Sequence, residues 1–257
     1  MIYVVEILIC ILATTIGAIC GVGGGVIMKP VLDASHILPV EEVSFLSGCT
    51  VLAMTTVSVA KQGKKTIDAI SVALAVGGAF GGILGKQFFQ MIVKLCGNDR
   101  RAGWWQAWIL FVFLCLTFLY MIGDDRIRTY RVKKIFPSLL IGLALGAVSA
   151  FLGIGGGPMN LMVLYFFYSM ETKLAVQNSL FIIFASQLCS LLTSVGSRNV
   201  PAFSWGTLGI MVVCGLLGAW IGGRIHKCLS AKSIQVLLNI VIVLILGICL
   251  YNIWQMR

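Results

Sequence analysis

Two glycine clusters stand in register, Gly21-Val-Gly-Gly-Gly25 and, 132 residues further on, Gly153-Ile-Gly-Gly-Gly157. Consecutive glycines are poor helix interior, each costing up to about 1 kcal/mol relative to alanine. Both clusters sit inside apolar runs too long for one membrane-crossing helix, so each predicts a helix broken at the glycines and followed by a shorter half-helix. A half-helix begins with unpaired N–H groups and the positive end of its dipole, which suits an anion. Glycine also lets a ligand approach the backbone without Cβ interference. Gly21, Gly23, Gly24 and Gly25, with Gly153, Gly155, Gly156 and Gly157, are therefore candidate substrate-binding residues. Glycines here could instead serve only close helix packing, and for Gly77, Gly81, Gly85, Gly218 and Gly222 that is the reading adopted.

Polar residues near the clusters extend the candidate set. Lys29 lies four residues past Gly25, where a lysine at membrane depth costs about 2.5 kcal/mol or more and needs a cavity, a partner or an interface. It is either a counter-charge for a bound anion or a side chain reaching to the surface from a short half-helix. The residue 132 places later is Leu161, so the repeat does not require the charge. Asn160 follows the second cluster. On the segments after each break, Ser47 and the pair Asn178 and Ser179 are the candidates, because Ser47 and Ser179 correspond at the same spacing. The other hydroxyls and amides there are assigned to interhelical hydrogen bonding.

The elements that hold these residues read as membrane helices. Of the 257 residues, 59% are hydrophobic and 11% charged, and the mean hydropathy is +1.01. A soluble domain of this length cannot bury so much apolar surface in one core. Apolar runs of about 20 residues, the length that crosses about 30 Å of hydrocarbon, fill the chain: roughly 4–32, 44–60, 67–89, 104–122, 136–168, 174–195, 204–225 and 234–254. The fold class is an all-α polytopic membrane protein of about eight hydrophobic segments in two repeats, 1–132 and 133–257, each with a glycine-broken helix. Beyond the loop at 198–203 the spacing becomes 137, pairing Gly78, Gly81 and Gly85 with Gly215, Gly218 and Gly222. The first segment lacks the basic start of a secretory signal and is expected to be retained.

The net charge of +10 does not indicate nucleic-acid binding. Its basic residues cluster between apolar runs: Lys61, Lys64 and Lys65; Lys94, Arg100 and Arg101; Arg126, Arg128, Arg131, Lys133 and Lys134. That pattern orients membrane proteins against anionic lipid. Charge alone leaves the topology divided between eight crossings with parallel halves and re-entrant segments with inverted halves. The acidic residues Asp33, Glu41 and Glu42 incline the reading toward eight crossings with both termini cytoplasmic.

No catalytic residues, cofactor or metal site are expected. His36 and His226 are far apart in sequence, the cysteines are scattered, and no phosphate-binding GxxxxGK[ST] or hydrolase constellation occurs. Asp124, Asp125 and the other acidic residues except Glu6 fall at or beyond segment ends, which leaves no buried carboxylate relay for a cation pump.

With these residues in view, the chain resembles the TauE/SafE family of sulfite and organosulfonate exporters. The resemblance rests on Gly17-Ala-Ile-Cys-Gly-Val-Gly-Gly-Gly-Val-Ile-Met-Lys-Pro30 and its second copy from Gly146 to Met159. It also rests on the small polar residues after each, Ser44 to Ser47 and Ala175 to Ser179, and on the eight-segment layout. It implies a multi-pass protein of the bacterial inner membrane that carries sulfite, thiosulfate, organosulfonates or similar small anions, its partners being that substrate and the lipid bilayer. The family usually has an aliphatic residue at Lys29 and often a proline near Met162. An anion channel and a non-transporting membrane scaffold are the alternatives, though a scaffold has no reason to keep two helix breaks at equivalent depths.

Overall fold

The computed structural model describes residues 2–35, 38–62, 68–96, 99–123, 129–198 and 200–255. His36, Lys64, Lys65, Asp124, Asp125, Arg126 and Arg128 lie outside the described residues. Among those described, every regular element is a helix: α1 Ile2–Cys20, α2 Gly25–Ser35, α3 Val40–Ala60, α4 Ala69–Cys96, α5 Asp99–Gly123, α6 Ile135–Leu152, α7 Gly157–Tyr168, α8 Thr172–Gly196, α9 Trp205–Cys228 and α10 Ala231–Gln255. Seven of them, α3, α4, α5, α6, α8, α9 and α10, contain stretches long and apolar enough to cross a membrane. The two long apolar runs break where the glycines predict, between Cys20 and Gly25 and between Leu152 and Gly157.

After each break the chain turns back. The Cys10 thiol of α1 donates to the Met28 thioether of α2 at 3.3 Å, and a Cβ on Gly17 would stand 2.5 Å from the Gly24 nitrogen. As α1 advances from Cys10 to Gly17 its partners on the returning chain step back from Met28 to Gly24, so α1 and α2 form an antiparallel hairpin. The same holds for α6 and α7. Tyr130 and Val132, just before α6, donate backbone hydrogen bonds to Phe166 and Phe167 at the end of α7. The eight-crossing expectation is therefore corrected. α3, α4, α5, α8, α9 and α10 pass through, and the two broken segments are re-entrant hairpins entering from opposite faces.

The first face holds the start of α3 and the ends of α2 and α10, tied by the Asn252 amide donating to the Pro30 carbonyl. The second face holds the end of α3 and the start of α8, tied by the Gln62 amide donating to the Gln177 carbonyl. Since α3 and α8 correspond in the repeat yet run oppositely, the two halves are antiparallel.

Close glycine packing binds the halves together. A Cβ on Gly77, Gly81 or Gly85 of α4 would run into the backbone of Leu139, Leu143 or Ala147 of α6, and one on Gly142 or Gly146 would run into Leu74 or Gly78. In the other half, Gly218 and Gly222 of α9 lie against Thr14 and Thr15 of α1. Lipid supplies no hydrophobic drive between helices, so such close approach and its dispersion energy hold them. By contrast, a Cβ on Gly247 of α10 meets nothing within 4 Å. Gly81→Leu should prevent recovery of folded protein, whereas Gly247→Leu should change stability by no more than about 0.5 kcal/mol; thermal unfolding of the purified variants in detergent measures the contrast.

Candidate functional site

The two breaks pass each other along α3 and α8, with Gly21 against Val176 near the start of α8, Gly153 against Ser44 near the start of α3, and Gly23 and Gly155 between them, halfway along both helices. Gly23 and Gly155 both adopt left-handed backbone, with φ of 67° and 83°, which an L side chain resists. Each lies against the same two side chains, Val51 of α3 and Ile183 of α8. These four positions form two pairs at the 132-residue spacing, and the other contacts repeat in the same way. A Cβ on Gly21 would stand 2.7 Å from Val176 Cα, and one on Gly153 would stand 3.1 Å from Ser44 Cβ. A Cβ on Gly25, the first residue of α2, would be 2.8 Å from the Ile154 carbonyl oxygen; one on Gly157, the first of α7, would be 2.6 Å from that of Val22. Two half-helix starts, each with the positive end of a dipole, therefore face each other across the middle of the molecule.

Several buried polar atoms around these breaks have no protein partner: Ser47 Oγ, Ser44 Oγ, Ser149 Oγ, Asn160 Oδ1 and Gln187 Nε2. Ser47 is fully buried and its hydroxyl lies 3.0 Å from where a Gly25 Cβ would be. Ser149 and Asn160 flank Gly156 in the same manner, at 3.0 and 2.8 Å. An unsatisfied buried polar atom costs about 1–3 kcal/mol, so a group of them beside two helix starts is suited to a polar ligand. On its α5 side the second break borders a separate apolar void of about 10 Å³, lined by Leu110, Phe113, Ile154, Gly156 and Pro158, room for one water at most.

A larger cavity lies toward each face. On the second face, about 490 Å³ is lined by Lys61, Gln62, Gln177, Trp220, Arg224, His226 and Lys227, with Ala18 and Val176 at its floor. Val176 is the residue that touches Gly21, so this cavity ends at the first break. Arg224 stacks on the Trp220 ring at 3.7 Å, and Lys61 stands 5.8 Å from the same ring. On the first face, about 260 Å³ is lined by Glu41, Lys86, Phe89, Gln90, Arg198, Val200 and Pro201. Lys61 and Arg198, Phe89 and His226, and Gln90 and Lys227 correspond at the 137-residue spacing. Both entrances are thus rich in cations. The sequence reading weighed Lys61, Arg224 and Lys227 only as topology determinants and gave Arg198 no role; each is ordinary surface charge until the inverted packing sets it in a cavity.

The sequence-based candidates divide. All eight cluster glycines are brought together at the two breaks, with Ser47 and Asn160 beside them. Ser179 is also there, but its hydroxyl donates to the Gly21 carbonyl at 2.6 Å, bracing the break. Asn178 donates its amide to Leu174, one turn back on its own helix, and its Oδ1 is unpartnered. Lys29 takes neither of the roles expected for it. It is 3% exposed, pairs with Asp33 Oδ2 at 3.1 Å and donates to Gln106 Oε1 at 2.9 Å. Gln106 in turn donates to the Phe151 carbonyl at 2.7 Å, just before the second break. Asp33 belongs to α2, one turn beyond Lys29, and does not sit past the segment end as the sequence suggested. The network fastens α2 to α5 and α6.

Removing one member of a buried ion pair strands the other and costs about 3–5 kcal/mol. Lys29→Met should therefore lower thermal stability sharply, and adding Asp33→Leu should restore much of it; a double-mutant cycle by thermal unfolding reads the coupling.

Comparison with known proteins agrees with this architecture. The family described as Sulfite exporter TauE/SafE matches residues 6–249. The chain is also similar to the probable membrane transporter protein YunE of Bacillus subtilis (strain 168), with 24% identity over 273 residues covering 95% of this chain and 96% of the relative. No solved structure matches the chain. Glycine-broken hairpins meeting at mid-depth, and a family match across nearly the whole length, lead to one conclusion: the chain belongs to the TauE/SafE family of membrane transporters.

Proposed function

We propose that the protein is a secondary carrier that exports small sulfur-containing anions, such as sulfite, thiosulfate or organosulfonates, across the bacterial cell membrane. The observation that carries this reading is the pair of half-helix starts facing each other at mid-depth, flanked by partnerless buried polar atoms, with a basic cavity toward each face. In carriers with inverted repeats the substrate site lies at such a junction of broken helices. N–H groups and dipoles at the starts of α2 and α7, with the hydroxyl of Ser47, would hold the oxyanion. Residues 1–132 and 133–257 would be the two inverted units that rock against each other. The close packing of Val51 and Ile183 on Gly23 and Gly155 supports a carrier over an open channel. The family name and the description of the relative as a probable transporter support the substrate class and the activity.

Export follows from charge. Among described residues, Lys61, Arg131, Lys133, Lys134, Lys173, Arg224, Lys227 and Lys232 gather toward the second face, against Lys86, Lys94, Arg100, Arg101 and Arg198 toward the first. Basic residues favour the cytoplasmic side, so the larger, acid-free cavity would open inward and both termini outward. Each negative charge leaving a cell held at 100 mV gains about 2.3 kcal/mol, so a dianion gains about 4.6 kcal/mol with no coupling ion.

Ser47→Ala separates function from fold. The hydroxyl has no partner to lose, so stability should hold or rise slightly, while efflux of labelled sulfite or thiosulfate from proteoliposomes should fall about ten- to a hundredfold, the worth of a hydrogen bond to a charged group. Ser179→Ala should instead cost about 1 kcal/mol of stability through the lost bond to Gly21. Efflux undiminished in folded Ser47→Ala would refute the site. Orientation has its own test: the exposed Cys228 at the end of α9 should react with an impermeant maleimide in inverted vesicles and be protected in right-side-out ones.

A further inference from the structure

His226 sits where the second-face cavity meets the first break, and its ring is held in one orientation. Nδ1 lies 2.8 Å from the Ile19 carbonyl oxygen. A carbonyl only accepts, so Nδ1 carries the hydrogen. Nε2 is then a bare lone pair in the neutral ring and becomes an N–H donor only when the ring takes a second proton. Nε2 is buried with no protein partner, and the residue, 7% exposed, lines the cavity.

The surroundings determine what Nε2 can meet. Lys61 from the end of α3 and Arg224 and Lys227 from α9 line the same cavity, with Gln62 and Gln177 as neutral polar neighbours. Lys173, in the first turn of α8, adds a further positive field at the ring. α1 contributes the Ile19 carbonyl and Ala18. No carboxylate is among the described lining residues, and an anion entering from solution can supply the negative partner for a protonated ring.

The equivalent place on the first face lacks this device. At the 137-residue spacing His226 corresponds to Phe89, which packs on Phe151 with ring centroids 6.2 Å apart. Phe151 is itself the counterpart of Ile19. The two entrances thus repeat the same contact between helices, one through a titratable ring and the other through an apolar one.

We infer that the second-face cavity is an anion-binding antechamber in which His226 takes up a proton together with the anion, its Nε2–H donating to an oxyanion oxygen held between Lys61 and Arg224. The inference rests on the anion-carrier reading and adds to it a proton-linked subsite distinct from the midplane. The step is a proton transfer alone: hydronium or buffer acid gives its proton to the Nε2 lone pair, leaving water or the conjugate base in solution, and the anion's charge favours the proton's staying there. The effect is one-sided, because Phe89 cannot bind a proton.

Thiosulfate is the probe, since it remains a dianion from pH 6 to 8 and only the protein titrates. With the full-length protein in nanodiscs, thiosulfate should bind about tenfold more tightly at pH 6 than at pH 8, with uptake of up to about one proton seen as a buffer-dependent heat. In His226→Gln, whose amide can still donate to Ile19, affinity should be flat with pH and the proton uptake absent. Arg224→Gln should weaken binding at both pH values and keep their ratio. In the wild-type protein, the imidazole resonance of His226, distinguished from that of His36 by a His36→Gln variant, should shift on adding thiosulfate, which needs no substitution at the site. PH-independent binding by the wild type, retained pH dependence in His226→Gln, or no thiosulfate binding would each overturn the inference. The midplane reading is judged separately, by transport in Ser47→Ala, whose binding at the antechamber should remain pH-dependent.

Discussion

Everything in this structure depends on one constraint: a helix broken inside a membrane frees backbone groups that lipid cannot satisfy. Such a break persists only where protein encloses it. Here each break is enclosed largely by the other half. Val22 of the first meets Gly157 of the second, Ile154 of the second meets Gly25 of the first, and Val51 and Ile183 close over both. Neither hairpin is a stable object in lipid alone. The same requirement explains the glycine contacts of α4 with α6 and of α9 with α1, which draw each hairpin against a through-crossing helix of the opposite half. Thr14 adds to that fastening, donating to the Cys214 carbonyl of α9 at 3.2 Å.

Near-symmetry at the centre gives way to asymmetry around it. Ser47 and Ser179 occupy equivalent places, yet Ser179 is spent on the Gly21 carbonyl and Ser47 is without a partner. Lys29, Asp33 and Gln106 fasten α2 to its surroundings, whereas the positions matching Lys29 and Asp33 are Leu161 and Tyr165. The two hairpins therefore differ in how firmly they are held.

Much of this was legible in the sequence because glycine spacing is a backbone signal that needs no partner to be read. The paired GxGGG clusters located both breaks, and the alternation of apolar runs and basic clusters marked a membrane helix bundle. Direction of the chain after the breaks was not legible. A half-helix of eleven residues looks the same in sequence whether it continues onward or doubles back, and only contacts such as Cys10 with Met28 distinguish the two. Lys29 was misread for a related reason. Its partners Asp33 and Gln106 lie on α2 and α5, and the α5 partner is 77 residues away, beyond the reach of local pattern. Asp33 itself fell outside the expected segment because the half-helix runs to Ser35. The basic cavities were hidden for the same cause, since Lys61 and Arg224 become neighbours only when the halves are inverted.

The central claim is that an oxyanion binds between the opposed starts of α2 and α7. Selenite, a heavier analogue of sulfite, can be located by its anomalous scattering in crystals of the protein. The account predicts a peak at the midplane within hydrogen-bonding distance of Ser47 Oγ and the backbone nitrogen of Gly25 or Gly157, whether or not a second peak occupies the basic cavity. Peaks confined to the cavities, with the junction empty at saturating selenite, would contradict it.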